Sequence, residues 1–204
     1  MRSGVDSEAV VADDAIIGEP VRIGPFCVLG VDGSGRELVL GDGATIRSHT
    51  VIYRGTVIGP RFHAGHGVLV RESTTIGEDV SIGSHSIVEH HVTVGDRVRL
   101  HSNCFVPEYS VLESGAWLGP GVIVTNARYP NRPDTKVNLE GVCVSEGAVV
   151  GAGAVLLPGV TIGARAIVGA GAVVVHDVAD GDTVVGNPGR SVGRRGASSP
   201  RQPP

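Results

Sequence analysis

From Leu40 to Val124 every sixth residue is aliphatic, fifteen times in succession: Leu40, Ile46, Ile52, Ile58, Ala64, Val70, Ile76, Ile82, Val88, Val94, Leu100, Val106, Leu112, Leu118 and Val124. No residue is inserted or lost over that stretch. A period of six is neither the 3.6 of an amphipathic helix nor the 2.0 of an alternating strand. It is the period of a parallel β-solenoid, in which short strands and tight corners alternate. The composition agrees: glycine is 31 of 204 residues and aromatics are 3%. A narrow interior accepts branched aliphatics, and corners favour small residues and positive φ.

A slower rhythm lies inside the first. Of the residues that follow the periodic aliphatics, one set reads Gly41, Gly59, Gly77, Gly95, and another reads Tyr53, Arg71, Glu89, Pro107, Thr125. The larger period is therefore 18, three hexads per coil, and the cross-section is triangular. Successive coils stack at about 4.8 Å. The expected fold is all-β, a triangular parallel solenoid. An earlier set (Val11, Ile17, Ile23, Leu29) is out of phase, and the Gly-rich segment Val31–Leu38 resets the register. The pattern breaks again at Asn126–Gly141, a polar stretch with two prolines that predicts a protruding loop, functional or disordered. It resumes from Val144 to Val174. One solenoid domain is expected over residues 1–190, with a flexible, Pro-rich tail over 191–204.

The net charge of −4 gives no nucleic-acid footprint. No apolar run is long enough to span a bilayer. The acidic N-terminal stretch lacks a hydrophobic leader segment, so a cytoplasmic location is expected. The three cysteines, Cys27, Cys104 and Cys143, form no CxxC pattern. Cys27 and Cys104 fall at the small inward position also held by Ala44, Thr50 and Ser86, and read as core filler in a reducing compartment.

Stacking of whole coils creates columns that the linear sequence hides. One reads Arg54, Glu72, His90, Glu108, Asn126, so that a histidine lies between two glutamates. A carboxylate beside an imidazole fixes its tautomer and stabilises its protonated form, as a general base near neutral pH requires. The next column reads Gly55, Ser73, His91, Tyr109, Ala127, and His91 could replace His90 as the base. The plainer reading of both is a solvated ladder of alternating charge. A second corner reads His49, Gly67, His85, Asn103, with His66 and His101 nearby. It suits a subunit contact or ordinary hydrogen-bonded corners. His63 and His176 are isolated in the sequence and receive no role.

Three stretches carry a resemblance: Val88–Val92 (VEHHV), Leu118–Pro130 (LGPGVIVTNARYP) and Val184–Arg190 (VVGNPGR). Together with the repeat, they make the chain similar to bacterial hexapeptide-repeat acyltransferases, within them the acetyltransferases that act on amino groups of nucleotide-linked sugars. The resemblance covers about residues 11–190. It implies a left-handed β-helix, a homotrimer with a site in each cleft between subunits, acetyl-CoA as co-substrate and no metal. It places Gly153, Ala154 and Gly171 along the pantetheine path, Pro188 and Arg190 toward the nucleotide end of CoA, and His91, Tyr109, Asn126, Arg128 and Tyr129 against the acceptor. His90, supported by Glu108 or Glu72, becomes the base. Relatives usually carry Asn where this chain has His90, which suggests true base catalysis and admits a hydroxyl acceptor.

Two other readings compete. His49, His85 and His90 resemble in spacing the three-histidine zinc set of γ-class carbonic anhydrases, although His49 and His85 share one column two coils apart. A non-catalytic scaffold would make the polar columns mere surface ladders.

Overall fold

A computed structural model of the chain describes residues 3–31, 33 and 35–193. Among them the strands, nearly all two residues long, form three sheets of nine, eight and ten strands. Each sheet is one side of a triangular coil. The first side carries Val51–Ile52, Leu69–Val70, Ile87–Val88, Phe105–Val106 and Ile123–Val124; the second carries Val57–Ile58, Thr75–Ile76, Thr93–Val94 and Val111–Leu112; the third carries His63–Ala64, Ser81–Ile82, Arg99–Leu100 and Trp117–Leu118. Pairing between coils is parallel, and the protein is a β-helix consistent with the left-handed form that the resemblance implies. Among the described residues the sole helix is one turn of 3-10 type, Thr135–Val137.

The register gives the coil length directly. Leu69 pairs with Ile87 and Ile87 with Phe105, so that each step along the stack is three hexads. Two coils are longer. The one from Val28 to its partner Val51 has five extra positions, and those fall in the Gly-rich reset. The one from Val111 to its partner Cys143 has fourteen, and those are the protruding loop. The backbone N–H of Glu140 donates to Asn126 O at 2.8 Å, closing that loop at its base.

All fifteen periodic aliphatics are at most 3% exposed. Burying each larger one contributes roughly 1.5–3 kcal/mol, so the repeat itself holds the coils together. The small inward position four residues later packs the corners. There Thr56, Thr74 and Ser86 hydroxyls donate to the carbonyls of Arg71, Glu89 and His101, each fifteen residues on. Cys27 and Cys104 take the same position and their thiols donate to Arg47 O and Gly119 O at 3.1 and 3.2 Å. Burial pushes both thiols up, which keeps them protonated. Cys143 differs: it is partly exposed on the outer surface of the second side.

Outward positions distinguish the sides. On the first, the column Val28, Val51, Leu69, Ile87, Phe105, Ile123, Val155, Val173 is apolar throughout and partly or largely exposed. Exposed apolar stripes of this kind are interaction surfaces for proteins, membranes or ligands. At the C-terminal end, Arg190–Ser191 pairs antiparallel with Thr183–Val185, so the expected boundary at 190 runs through a strand. Residues 194–204 of the expected tail lie outside the described residues.

Candidate active site

The edge between the first and second sides carries the histidine–glutamate column. Because Val70, Val88 and Val106 are in register, Glu72, His90 and Glu108 stack on this edge. Glu108 Oε1 lies 3.4 Å from His90 Nε2, and both side chains are about 24% exposed. Asn126, where the loop departs, donates from Nδ2 to Glu108 Oε2 at 2.8 Å. On its other side His90 Nδ1 lies 2.8 Å from His91 Nδ1, with the rings T-shaped at 4.9 Å. The His91 ring is 5.7 Å from that of Tyr109.

One arrangement of the protons suits these contacts. With its hydrogen on Nε2, His90 faces the Glu108 carboxylate across 3.4 Å, an ion-pair contact longer than a formed hydrogen bond. Neutral His90 then offers only Nδ1 as an acceptor, and takes a hydrogen bond from His91 Nδ1–H. The lone pair left for a substrate is on His91 Nε2, and His91 is exposed. The two histidines that the sequence leaves as alternatives thus stand in series.

Glu72 departs from its expected role. Its carboxylate is gripped by Arg71, Nε to Oε2 at 3.1 Å and Nη2 to Oε1 at 2.9 Å, rather than hydrogen-bonded to His90. Burial works to raise the Glu72 carboxyl, but backbone hydrogen bonding, Arg71 and the nearby His90 outweigh it and hold it below the usual carboxylate range. Arg71 also reaches Glu89 Oε2 at 3.0 Å. Sequence reasoning assigned Arg71 nothing; the signal was an arginine immediately before one acid and a full coil before another.

The expected acceptor contacts divide. Asn126 belongs to the Glu108 chain. Arg128 and Tyr129 instead line a cavity of about 290 Å³ within the loop, together with Arg132, Asp134 and Asn138. The Arg132 guanidinium lies 4.0 Å over the Tyr129 ring, and Arg128 Nη2 donates to Pro158 O at 3.1 Å.

The edge between the third and first sides stacks His49, Gly67, His85 and Asn103, as the period requires. His90 is on another edge, so one chain does not unite His49, His85 and His90. Among the described residues no group of three or more His, Cys, Asp or Glu is arranged to hold a metal ion. The same edge continues as Gly121, Gly153 and Gly171. A Cβ added at any of the three would meet nothing within 4 Å, so the backbone there is bare and open. Ala154 is a correction: it is 0% exposed, its side chain packs into the core, and it cannot line a ligand path. Pro188 is exposed in the turn before Arg190, and Arg190 Nη1 donates to Gly189 O at 3.0 Å.

The bacterial transferase hexapeptide (six repeats) family matches residues 73–108 and 144–176. Among curated proteins, the acyl-[acyl-carrier-protein]–UDP-N-acetylglucosamine O-acyltransferase of Rickettsia canadensis (strain McKiel) is 40% identical over 57 residues, 28% of this chain and 20% of that protein. Its counterpart from Mesorhizobium japonicum is 39% identical over 59 residues, 29% and 19% of the two chains. The chain thus matches about a fifth of the length of these relatives. Among solved structures, the UDP-N-acetylglucosamine acyltransferase of Francisella novicida superposes with a TM-score of 0.63 at 20% identity, covering 93% of this chain and 69% of that one. The polySia specific acetyltransferase NeuO gives 0.62 at 13% identity, covering 97% and 86%. At such identities these two share the fold. Repeat, coil and matches together show hexapeptide repeats of the bacterial transferase type over residues 73–108 and 144–176, and the curated relatives matched over part of this chain are named as acyltransferases.

Proposed function

We propose that the chain is an acyltransferase that moves an acetyl group from CoA to an amino or hydroxyl group of a nucleotide-linked sugar. The observation that carries this reading is the series Glu108–His90–His91, an ion-pair contact at 3.4 Å followed by a hydrogen bond at 2.8 Å, which ends in an unpaired imidazole nitrogen. His91 Nε2 takes the proton from the acceptor as its nitrogen or oxygen attacks the thioester carbonyl. Negative charge passes to the carbonyl oxygen, where a backbone N–H of the cleft would stabilise it. The C–S bond then breaks, and the CoA thiolate leaves with the proton from the His91 imidazolium. His90 and Glu108 orient His91 and support its positive charge. An alcohol, whose proton is held far above neutral pH, needs this base more than an amine does. The nucleotide-sugar acceptor follows the matched relatives, which are named for UDP-N-acetylglucosamine.

The fold explains why the site would need a second copy. The histidine edge and the bare edge of Gly121, Gly153 and Gly171 bound the two sides of the apolar first face. Three copies placed with that face toward a common axis bring the histidine edge of each against the bare edge of the next. Pantetheine would lie on the bare backbone, with Gly153 and Gly171 along its path and Pro188 and Arg190 toward the CoA nucleotide. Its thiol end would reach the level of Gly121, in the same coil as Glu108. Tyr109 and the loop residues Asn126, Arg128 and Tyr129 would meet the acceptor. We place the enzyme in the cytoplasm, where CoA is available; among the described residues no helix is long and apolar enough to cross a membrane.

The test is thiol release from acetyl-CoA in the presence of UDP-linked amino sugars and UDP-N-acetylglucosamine, with light scattering for the assembly. Acceptor-dependent release by a trimer, abolished in His91→Ala, is the expected result. A monomer that binds neither CoA nor a nucleotide sugar contradicts it.

A further inference from the structure

The third side has an electrostatic character that the acyl-transfer site does not use. Its outward strand positions include His63 and Arg99, and the adjoining column includes Arg47 and His101. Between Arg47 and His101 that column is bare, at Gly65 and Gly83. With Ser81 and Ser102 these residues line an open groove of about 270 Å³, and no carboxylate lines it. The described arginines divide into paired and unpaired, Arg22, Arg97 and Arg165 being unpaired on other parts of the surface. Arg54, Arg61, Arg71 and Arg128 each meet a carboxylate. Among the described residues, the guanidinium groups of Arg47 and Arg99 have neither a hydrogen bond nor an ion pair. Asp79, the acid within electrostatic reach of His63, is held by Arg61 at 2.6 and 2.7 Å. At the lower end Trp117 stands in register beside Arg99, its ring 4.8 Å from that of His101.

We infer that this groove binds a diphosphate, and that Trp117 is the platform for a ring attached to it. Guanidinium forks match phosphate oxygens two at a time. Serine hydroxyls add donors, the glycine floor permits close approach, and an indole face accepts a nucleobase. The ligand class is therefore a nucleoside diphosphate. The groove spans the coils that flank His90, and in the three-fold arrangement above it stays on the outside, beside the cleft. That position favours the acceptor's diphosphate over that of CoA, whose bare path runs the other way, toward Gly171. The choice of source rests on the acyltransferase reading; diphosphate binding does not.

Trp117 is the only tryptophan, so its fluorescence reports on the groove. The full chain is titrated with UDP, with inorganic diphosphate and with CoA. UDP should change the signal saturably, and inorganic diphosphate should displace it. Arg47→Ala combined with Arg99→Ala should weaken UDP binding about tenfold or more, and the corresponding double Lys variant should lose less. Both side chains are exposed, so the melting temperature should be unchanged. Saturation by CoA with the same arginine dependence also supports a diphosphate groove and assigns its source to the donor. UDP binding in a chain that shows no acyl transfer supports the groove while counting against the acyltransferase reading. No saturable change with UDP or diphosphate at millimolar concentration, or unaltered affinity in the double Ala variant, overturns the inference.

Discussion

Two stretches of the β-helix turn their corners with the same backbone and opposite chemistry. From Ser73 to Tyr109, seven successive corners (Ser73, Asp79, His85, His91, Arg97, Asn103, Tyr109) hold non-glycine residues at φ between 56 and 66°. From Gly115 to Gly171, six of seven corners are glycine, with φ of 64 to 77°, and Arg165 is the exception. A side chain in that left-handed conformation costs roughly 1–2 kcal/mol that glycine avoids. The first stretch therefore retains side chains where the backbone would prefer none, and it contains His91 and Tyr109. In the second, Gly121, Gly153 and Gly171 leave open backbone, whereas a Cβ at Gly159 would meet the Glu140 carboxylate; Arg165 shows that a side chain is tolerated at such a corner. Backbone geometry does not account for the difference; of these corners, Ser73, His91 and Tyr109 lie on the proposed catalytic edge, and Gly121, Gly153 and Gly171 on the proposed ligand track.

Substitution at the catalytic corner is the most severe test of that contrast. His91→Ala should lower kcat about 10²–10⁴-fold with the assembly intact, measured as thiol release beside light scattering. A variant with full activity would reduce the histidine corner to surface decoration. Clothing the bare track comes next. Gly153→Asn with Gly171→Asn places side chains at an angle Asn103 already adopts, so the melting temperature should hold. KM for acetyl-CoA should rise about tenfold or more through steric conflict, with kcat little changed. An unchanged KM would show that CoA lies elsewhere.

The histidine edge was legible because a period of 18 is arithmetic: Val70, Val88 and Val106 had to stack, and so did the residues two places on. The division of labour along it was not. Whether Glu72 or Glu108 serves His90 depends on Arg71, whose side chain could have extended either way, and only the placed guanidinium decides. Ala154 was misread because a family pattern names a position, whereas the hexad phase, which puts it four residues after Val150, turns it inward. His63 looked isolated for the opposite reason. Its neighbours in space, Arg47, Ser81 and Arg99, are up to two coils away in sequence.

Smaller effects sharpen the same comparison. Glu108→Gln keeps an oxygen that can accept from His90 Nε2–H, so kcat should fall only about tenfold, well short of the His91→Ala loss. A drop as large as that of His91→Ala would make the charge itself indispensable. Arg97→Gly should relieve a strained corner and stabilise the chain by up to about 1 kcal/mol in denaturant unfolding. A destabilised variant would mean that these corners carry no strain. The least effect belongs to Glu72→Gln, below about 1 kcal/mol for a pair this close to solvent. Glu72 is depressed in the folded state, so its contribution is present above the unfolded pKa and fades as pH falls through the lower folded value. The melting difference between wild type and variant should be constant near neutral pH and vanish under strongly acid conditions. A difference that grows on acidification would reverse the assignment.

The most direct measurement is a crystal structure of the chain with CoA and UDP-N-acetylglucosamine bound. The account places the CoA sulfur beside His91 Nε2 of one copy, with pantetheine running along Gly121, Gly153 and Gly171 of its neighbour. CoA bound on another face, or histidine edges that open onto solvent with no neighbouring copy across from them, would contradict it.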